Sequence, residues 1–186
     1  MTAPRIIAGA WKGRKLEAPE GLETRPTNAR ARQAVFDILA HAPWCALRGA
    51  KVLDVFAGTG AYGLEALSRG AAEAVFFEQS PAALRALRAN IAACKAPAQL
   101  VPGNVLAAPQ GTPHDLVFLD PPYGQALVPQ ALSALAARGW IAPGALIVAE
   151  LGPEDDLATP ELLAERAHGK ARVKIWRYSA AAHGAL

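Results

Sequence analysis

An α/β fold with a mostly parallel sheet is predicted by three observations. From residue 51 onward, short apolar runs alternate with longer stretches of helical periodicity. The strongest runs, Lys51–Ala57 (KVLDVFA) and Asp115–Asp120 (DLVFLD), are nearly continuous, as strands covered on both faces require. The last quarter instead places two strand-like runs around Gly169-Lys170, which predicts an antiparallel C-terminal hairpin at the sheet edge. A small basic N-terminal hairpin and a helix precede this body.

Arg5–Leu16, containing Gly9 and Gly13, reads as the hairpin. Thr27–His41 reads as the helix, with Val35, Ile38 and Leu39 facing inward and Arg30 and Arg32 near its start. Trp44–Ala50 links it to the first strand, Lys51–Ala57. Tyr62–Arg69 is a helix stopped by Gly70, and Ala74–Glu78 the second strand. Ser80–Lys95 carries clear helix signals: Ser80 caps, Pro81 suits the first turn, and Leu84, Leu87 and Ile91 share a face. Gln99–Pro102 is a weak third strand and Asp115–Asp120 a strong fourth, followed by a helix over Gln125–Arg138. Ala145–Leu151 is the fifth strand, and Leu162–His168 with Ala171–Tyr178 form the closing hairpin. The predicted organisation is a basic appendage over 1–48, one domain over 49–180 and a tail over 181–186.

The 186 residues are 52% hydrophobic and 19% charged, enough for one packed core and against global disorder. No apolar run approaches the roughly 20 residues that cross a bilayer, and the first residues lack a secretory pattern. Cys45 and Cys94 make neither a disulfide framework nor a CxxC metal site and read as small buried thiols. The expectation is a soluble cytoplasmic protein with no metal. Residues 1–48 hold eight Lys/Arg against four acids, a balance of +4, whereas the remainder holds eleven against twelve. A basic lobe on a neutral body suits a phosphate backbone, and equally a solvated charged face.

Two segments carry chemistry. In Asp54-Val55-Phe56-Ala57-Gly58-Thr59-Gly60-Ala61-Tyr62-Gly63, a strand runs into a GxGxxG turn that opens a helix. This is the context of a nucleotide-type cofactor site, where Gly58 and Gly60 admit the ligand to the backbone. Glu78 closes the second strand, where an acid can accept ribose hydroxyls; Asn104, after the third, either contacts an adenine edge or is a loop residue. Asp54 and Phe56 complete the predicted cofactor set. The second segment is Asp120-Pro121-Pro122-Tyr123, at the carboxyl end of the fourth strand. A chance match to such a run in a chain of this length is on the order of 1 in 1,000. An exocyclic amine on a base has its lone pair delocalised into the ring. The Asp120 carboxylate and the Pro121 carbonyl can accept its hydrogens and localise that lone pair, and the two prolines hold both acceptors rigidly. Tyr123 can stack on an extruded base.

At these residues the chain resembles the Rossmann-like S-adenosylmethionine (SAM)-dependent methyltransferases of exocyclic base amines. The likeness narrows through Arg5–Gly9, Trp11–Leu16, Arg25-Pro26-Thr27, Arg30-Ala31-Arg32, Phe56–Gly60 and Gly63–Gly70. Together these resemble the RsmD-type small-subunit ribosomal RNA guanine-N2 methyltransferases, over nearly the whole chain. The resemblance implies SAM as cofactor, 16S ribosomal RNA or the assembling small subunit as partner, a monomer, and transfer to a guanine amine. It also implies phosphate contacts from Arg5, Lys12, Arg14, Lys15, Arg25, Arg30 and Arg32. Trp11 either stacks on RNA or pins the hairpin to the domain. Gln33 stands where the family usually has an acid, and Gln79-Ser80 replace a further acid after Glu78. The competing readings are an adenine-N6 or cytosine-N4 methyltransferase on DNA or RNA, and a non-catalytic RNA-binding assembly factor. A nicotinamide oxidoreductase is disfavoured, because Asp120–Tyr123 has no role in hydride transfer.

Overall fold

The computed structural model describes residues 3–19, 26–122, 126–152, 155, 157, 159, 161–168 and 171–180. In chain order the elements are α1 (Pro26–His41), β1 (Lys51–Val55), α2 (Ala61–Ser68), β2 (Glu73–Glu78), α3 (Pro81–Cys94) and β3 (Ala98–Pro102). A 3-10 turn (Val105–Ala107), β4 (His114–Leu119), α4 (Leu127–Ala137), β5 (Ile141–Leu151), β6 (Leu162–His168) and β7 (Ala171–Arg177) follow. Seven strands form one sheet in the order β3-β2-β1-β4-β5-β7-β6. The first five are parallel, and β7 runs antiparallel to both β5 and β6. The sheet is therefore the mostly parallel one expected, with its antiparallel closing hairpin; Gly169, Lys170 and residues 181–186 lie outside the described residues. No described helix is long and apolar enough to cross a membrane.

Both faces of the sheet are covered, which is why its central strands read as continuous apolar runs. Leu53, Val55, Val117, Leu119, Ile147 and Ala149 pack on the α4 side with Leu132 and Leu135. Val52, Phe118 and Val148 pack on the other side with Phe36 of α1 and Leu64 of α2. Ile6, Leu16, Val35 and Leu39 belong to this same cluster, so residues before β1 share the core of the sheet.

Three local features depart from the sequence reading. The N-terminal hairpin reduces to one antiparallel bridge, Arg5 to Lys15, around turns at Gly9 (φ 85°) and Gly13 (φ 83°). Three amides pair across it, Ile6 to the Arg14 carbonyl, Gly13 to that of Ile6 and Leu16 to that of Pro4, while Ile7 and Ala8 donate to the Glu65 carboxylate of α2 and Ala10 to the Ser68 carbonyl. β5 begins four residues earlier than expected, because Pro143-Gly144 is absorbed where the register with β4 shifts between His114 and Leu116. The 3-10 turn is capped by Asn104, whose side chain accepts from the Leu106 N–H. Elsewhere the predicted signals hold, as in the Ser80 cap and the Pro81 first turn of α3.

Candidate active site

The strand order reverses between β1 and β4, so the loops leaving these two strands diverge and open a crevice at the carboxyl edge. The turn after β1, the ends of β2 and β3, and Asp120 after β4 all border it. Within that turn Phe56 (φ 61°), Gly58 (φ 56°) and Gly60 (φ 79°) adopt left-handed backbone. For Phe56 this is a strained conformation of the kind concentrated at ligand sites. A Cβ on Gly58 would meet nothing within 4 Å, so this stretch of backbone is open to a ligand. A Cβ on Gly60 would lie 2.5 Å from Leu87 Cδ1, and one on Gly63 would lie 2.4 Å from the Phe76 ring. One glycine thus leaves an open face and the other two permit close packing, a division the spacing alone does not reveal.

Asp54 lies beneath this turn, 3% exposed, and its Oδ2 accepts the Gly63 N–H at 2.8 Å. Burial pushes its carboxyl up to about 8, against the pull of the Gly63 N–H, with the charges of Asp120 and Glu78 adding. Glu78 is half-buried at the end of β2. Its Oε2 accepts the Gly58 N–H at 2.8 Å, and its Oε1 accepts from Gln79 at 2.8 Å and Ser80 at 2.7 Å. A carboxylate offers about four acceptor sites. Three of Glu78's are already taken, leaving capacity for one ribose hydroxyl rather than two. Asn104 uses its Oδ1 on the 3-10 turn, so its amide NH2 is what it can offer an adenine edge. The open backbone at Gly58 and the remaining acceptor on Glu78 fit the adenosine end of SAM.

Asp120 follows β4, and a small cavity beside it is lined by Tyr62, Phe118, Val148, Glu150 and Val173. Its carboxyl is pushed up to about 7, first by burial and then by the Glu150 charge. Tyr62 and Phe118 lie 5.1 Å apart between ring centroids, and Phe36 sits 5.6 Å from Phe118, giving the cavity a rigid aromatic floor. Burial, helped by Asp120 and Glu150, holds the Tyr62 hydroxyl well above its ordinary pKa. Pro121 is buried and Pro122 exposed. Tyr123 and Arg25 lie outside the described residues.

Of the predicted phosphate contacts, Arg5, Lys12, Arg14, Lys15 and Arg30 are exposed. Arg5 also donates to the Gly13 carbonyl and Arg14 to the Ala93 carbonyl. Arg32 is a correction: it is 4% exposed, and its Nη2 donates to the Arg5 carbonyl at 2.7 Å. It falls on the buried stripe of α1 with Ala31, Val35 and Phe36, where it faces the Glu65 charge rather than solvent. Trp11 is half-buried against the core cluster and its N–H donates to Ser68 Oγ, so it pins the hairpin. Gln33, at the position where an acid is usual, donates to Asp37 Oδ1 within α1.

Sequence reasoning missed three buried polar side chains. Glu65, fully buried, accepts from Ile7, Ala8 and Arg69 Nε. Asn90 accepts the Glu17 N–H and donates to the carbonyls of Glu17 and Thr59, tying the N-terminal segment to the glycine turn. Glu150 lines the cavity beside Asp120. The available signal was a lone polar residue interrupting an apolar face, as in Gly63-Leu64-Glu65-Ala66 and Val148-Ala149-Glu150-Leu151.

A strand order that reverses beside a glycine turn, with an Asp-Pro-Pro segment across the crevice, defines a methyltransferase of the Rossmann-like class. Residues 4–177 match the family model described as conserved hypothetical protein 95. The chain is 43% identical over 158 residues to ribosomal RNA small subunit methyltransferase D of Escherichia coli K12, covering 83% of this chain and 78% of the relative. It is 36% identical to the Haemophilus influenzae protein of the same name, over 93% of each chain. Among solved structures, the "Putative methyltransferase yhhF" of E. coli superposes with a TM-score of 0.84 at 40% identity, covering 96% of this chain and 99% of that one. The chain belongs to the family of ribosomal RNA small subunit methyltransferase D.

Proposed function

We propose that the protein transfers a methyl group from SAM to the exocyclic N2 amine of a guanine in 16S ribosomal RNA, acting as a monomer on the assembled or assembling small subunit. One observation carries the reading. Asp120, half-buried at the carboxyl end of β4, stands at the switch point across from the open backbone of Gly58. SAM supplies the electrophilic methyl on its sulfonium. The chain supplies position. Gly58, the remaining acceptor on Glu78 and the Asn104 amide hold the adenosine end, while Asp54 fixes the turn from beneath. The Asp120 carboxylate and the Pro121 carbonyl accept the amine hydrogens, localise its lone pair and aim it along the transfer line. Tyr123 stacks on the base, and Lys12, Lys15, Arg30, Arg5, Arg14 and Arg25 hold flanking phosphates. The family relationship supports a small-subunit RNA substrate.

The test is transfer of labelled methyl from SAM to small subunits lacking base methylation, with the RNA digested to nucleosides. Label in N2-methylguanosine is the expected outcome. Label in a methylated adenine or cytosine would keep the chemistry and change the base. No label from protein that binds SAM would leave a binding role.

A further inference from the structure

We propose that the outer face of α3 is a phosphate-binding surface for the same RNA: Arg85, Arg88 and Lys95 form a basic track that runs from beside the cofactor crevice to the N-terminal hairpin. This rests on the RNA reading above and carries the contact beyond the residues before β1. Over residues 79–114 the chain has three Lys/Arg and no Asp or Glu. All three cations are exposed, two on α3 and Lys95 at its C-cap. At 3.6 residues per turn they fall within about 80° of one another, opposite the buried Ala83, Ala86, Leu87 and Asn90. From Arg85 to Lys95 the stripe is about 15 Å long. Both of its ends are tied. At the crevice the Ser80 N-cap donates its N–H to Glu78 Oε1, and Arg85 stands about one turn into the helix that follows. At the far end Arg14 Nη1 donates to the Ala93 carbonyl at 2.9 Å, which seats the exposed Arg14 and Lys15 beside Lys95.

A helix face built only for solvent gains stability from acids three or four residues from its cations. None of the three has an acid at any such position. Among the described residues, none of them makes an ion pair either. Arg85 and Arg88, three positions apart, repel one another with nothing on the helix to offset it, and a polyanion lying across both supplies that charge. The attraction is one-sided. The other face of the sheet, covered by α4 and the 3-10 turn, has no charged residue over 99–113 or 121–137.

The experiment measures affinity of the full chain for small subunits across a range of salt, in the wild type and two variants. Arg85→Gln with Arg88→Gln and Lys95→Gln puts good helix formers on an exposed face. At about 0.1 M salt this variant should bind roughly 10- to 100-fold more weakly, with a salt slope smaller by about 2, at 0.7–0.9 for each phosphate no longer neutralised. Its SAM affinity should hold, which also reports the fold. Arg138→Gln with Arg166→Gln removes exposed cations after α4 and on the far edge strand β6, and should change affinity by no more than about twofold. A triple variant that binds SAM and keeps the wild-type slope would overturn the proposal. So would an equal fall per charge removed in the two variants, because that reports net charge and not a track. In the wild-type complex Lys95 should be shielded from acylation, and full reactivity there would overturn the proposal without recourse to any variant. A wild-type protein with no salt-dependent affinity for small subunits would overturn the RNA reading itself, and this inference with it.

Discussion

An ionised Asp120 is the stronger acceptor for an amine hydrogen, and burial together with Glu150 holds its carboxyl up to about 7. Methyl transfer at saturating SAM should therefore rise with pH through about 7 and level above it, because the protonated acid loses an acceptor and gains a donor. Asp120→Asn keeps one carbonyl acceptor that does not titrate. That variant should retain reduced activity on a flattened profile, and a surviving acid limb would reassign the titration to Asp54, held at about 8. Asp120→Ala should lower the transfer rate by about 100-fold or more while leaving SAM affinity nearly unchanged, as calorimetry with SAM would record. Loss of SAM binding would contradict the division of roles between β1 and β4. At this scale the sequence was legible for position: Gly58, Gly60, Glu78 and Asp120 stand at the carboxyl edge of the sheet, as their spacing after each strand predicts. It was illegible where a charge's direction depends on its neighbours in space. Arg32 and Arg30 look alike in a helix start, yet one points into the core and the other outward.

The N-terminal hairpin pairs across itself at the Ile6, Gly13 and Leu16 amides and is held to the domain through α2. A Cβ on Gly9 would fall 1.8 Å from the Ser68 carbonyl oxygen, in a backbone conformation already at φ 85°. Gly9→Ala should therefore undock the hairpin, seen as faster proteolysis near Arg5–Lys15, with far less effect from Gly13→Ala, whose Cβ meets nothing within 4 Å. Glu65→Ala removes the acceptor of Ile7, Ala8 and Arg69 together and takes the ion-pair partner from an Arg69 side chain that is only 13% exposed. The expected loss is about 3–5 kcal/mol in urea unfolding. A loss below about 1 kcal/mol, typical of an exposed pair, would show that the clasp is solvated. Element positions followed from periodicity and caps, as α3 illustrates. The hairpin's reduction to one bridge did not, because its partner amides and carboxylate lie more than fifty residues apart in the chain.

Charge organises the whole molecule: the formal net charge is +3, and the excess sits in the residues before β1. Lys12, Lys15 and Arg30 are exposed there. Replacing these three by Glu should weaken binding to small-subunit RNA mainly at low salt. The salt slope should fall by about 0.7–0.9 for each phosphate that is no longer neutralised, while SAM affinity holds. A slope equal to the wild type's would remove them from the interface. The balance of charge along the chain announced this lobe, but which cations reach solvent was settled by how α1 lies on the sheet.

Asn90 holds Glu17 by two hydrogen bonds across 73 positions of chain. During synthesis at about 5–20 residues per second, Asn90 emerges roughly 4–15 s after Glu17. Until Glu65 and Ser68 of α2 emerge, the basic residues from Arg5 to Lys15 have no clasp to enter, and Glu17 waits longer still for Asn90. The residues made first are thus fastened late, when α2 and α3 have already been translated.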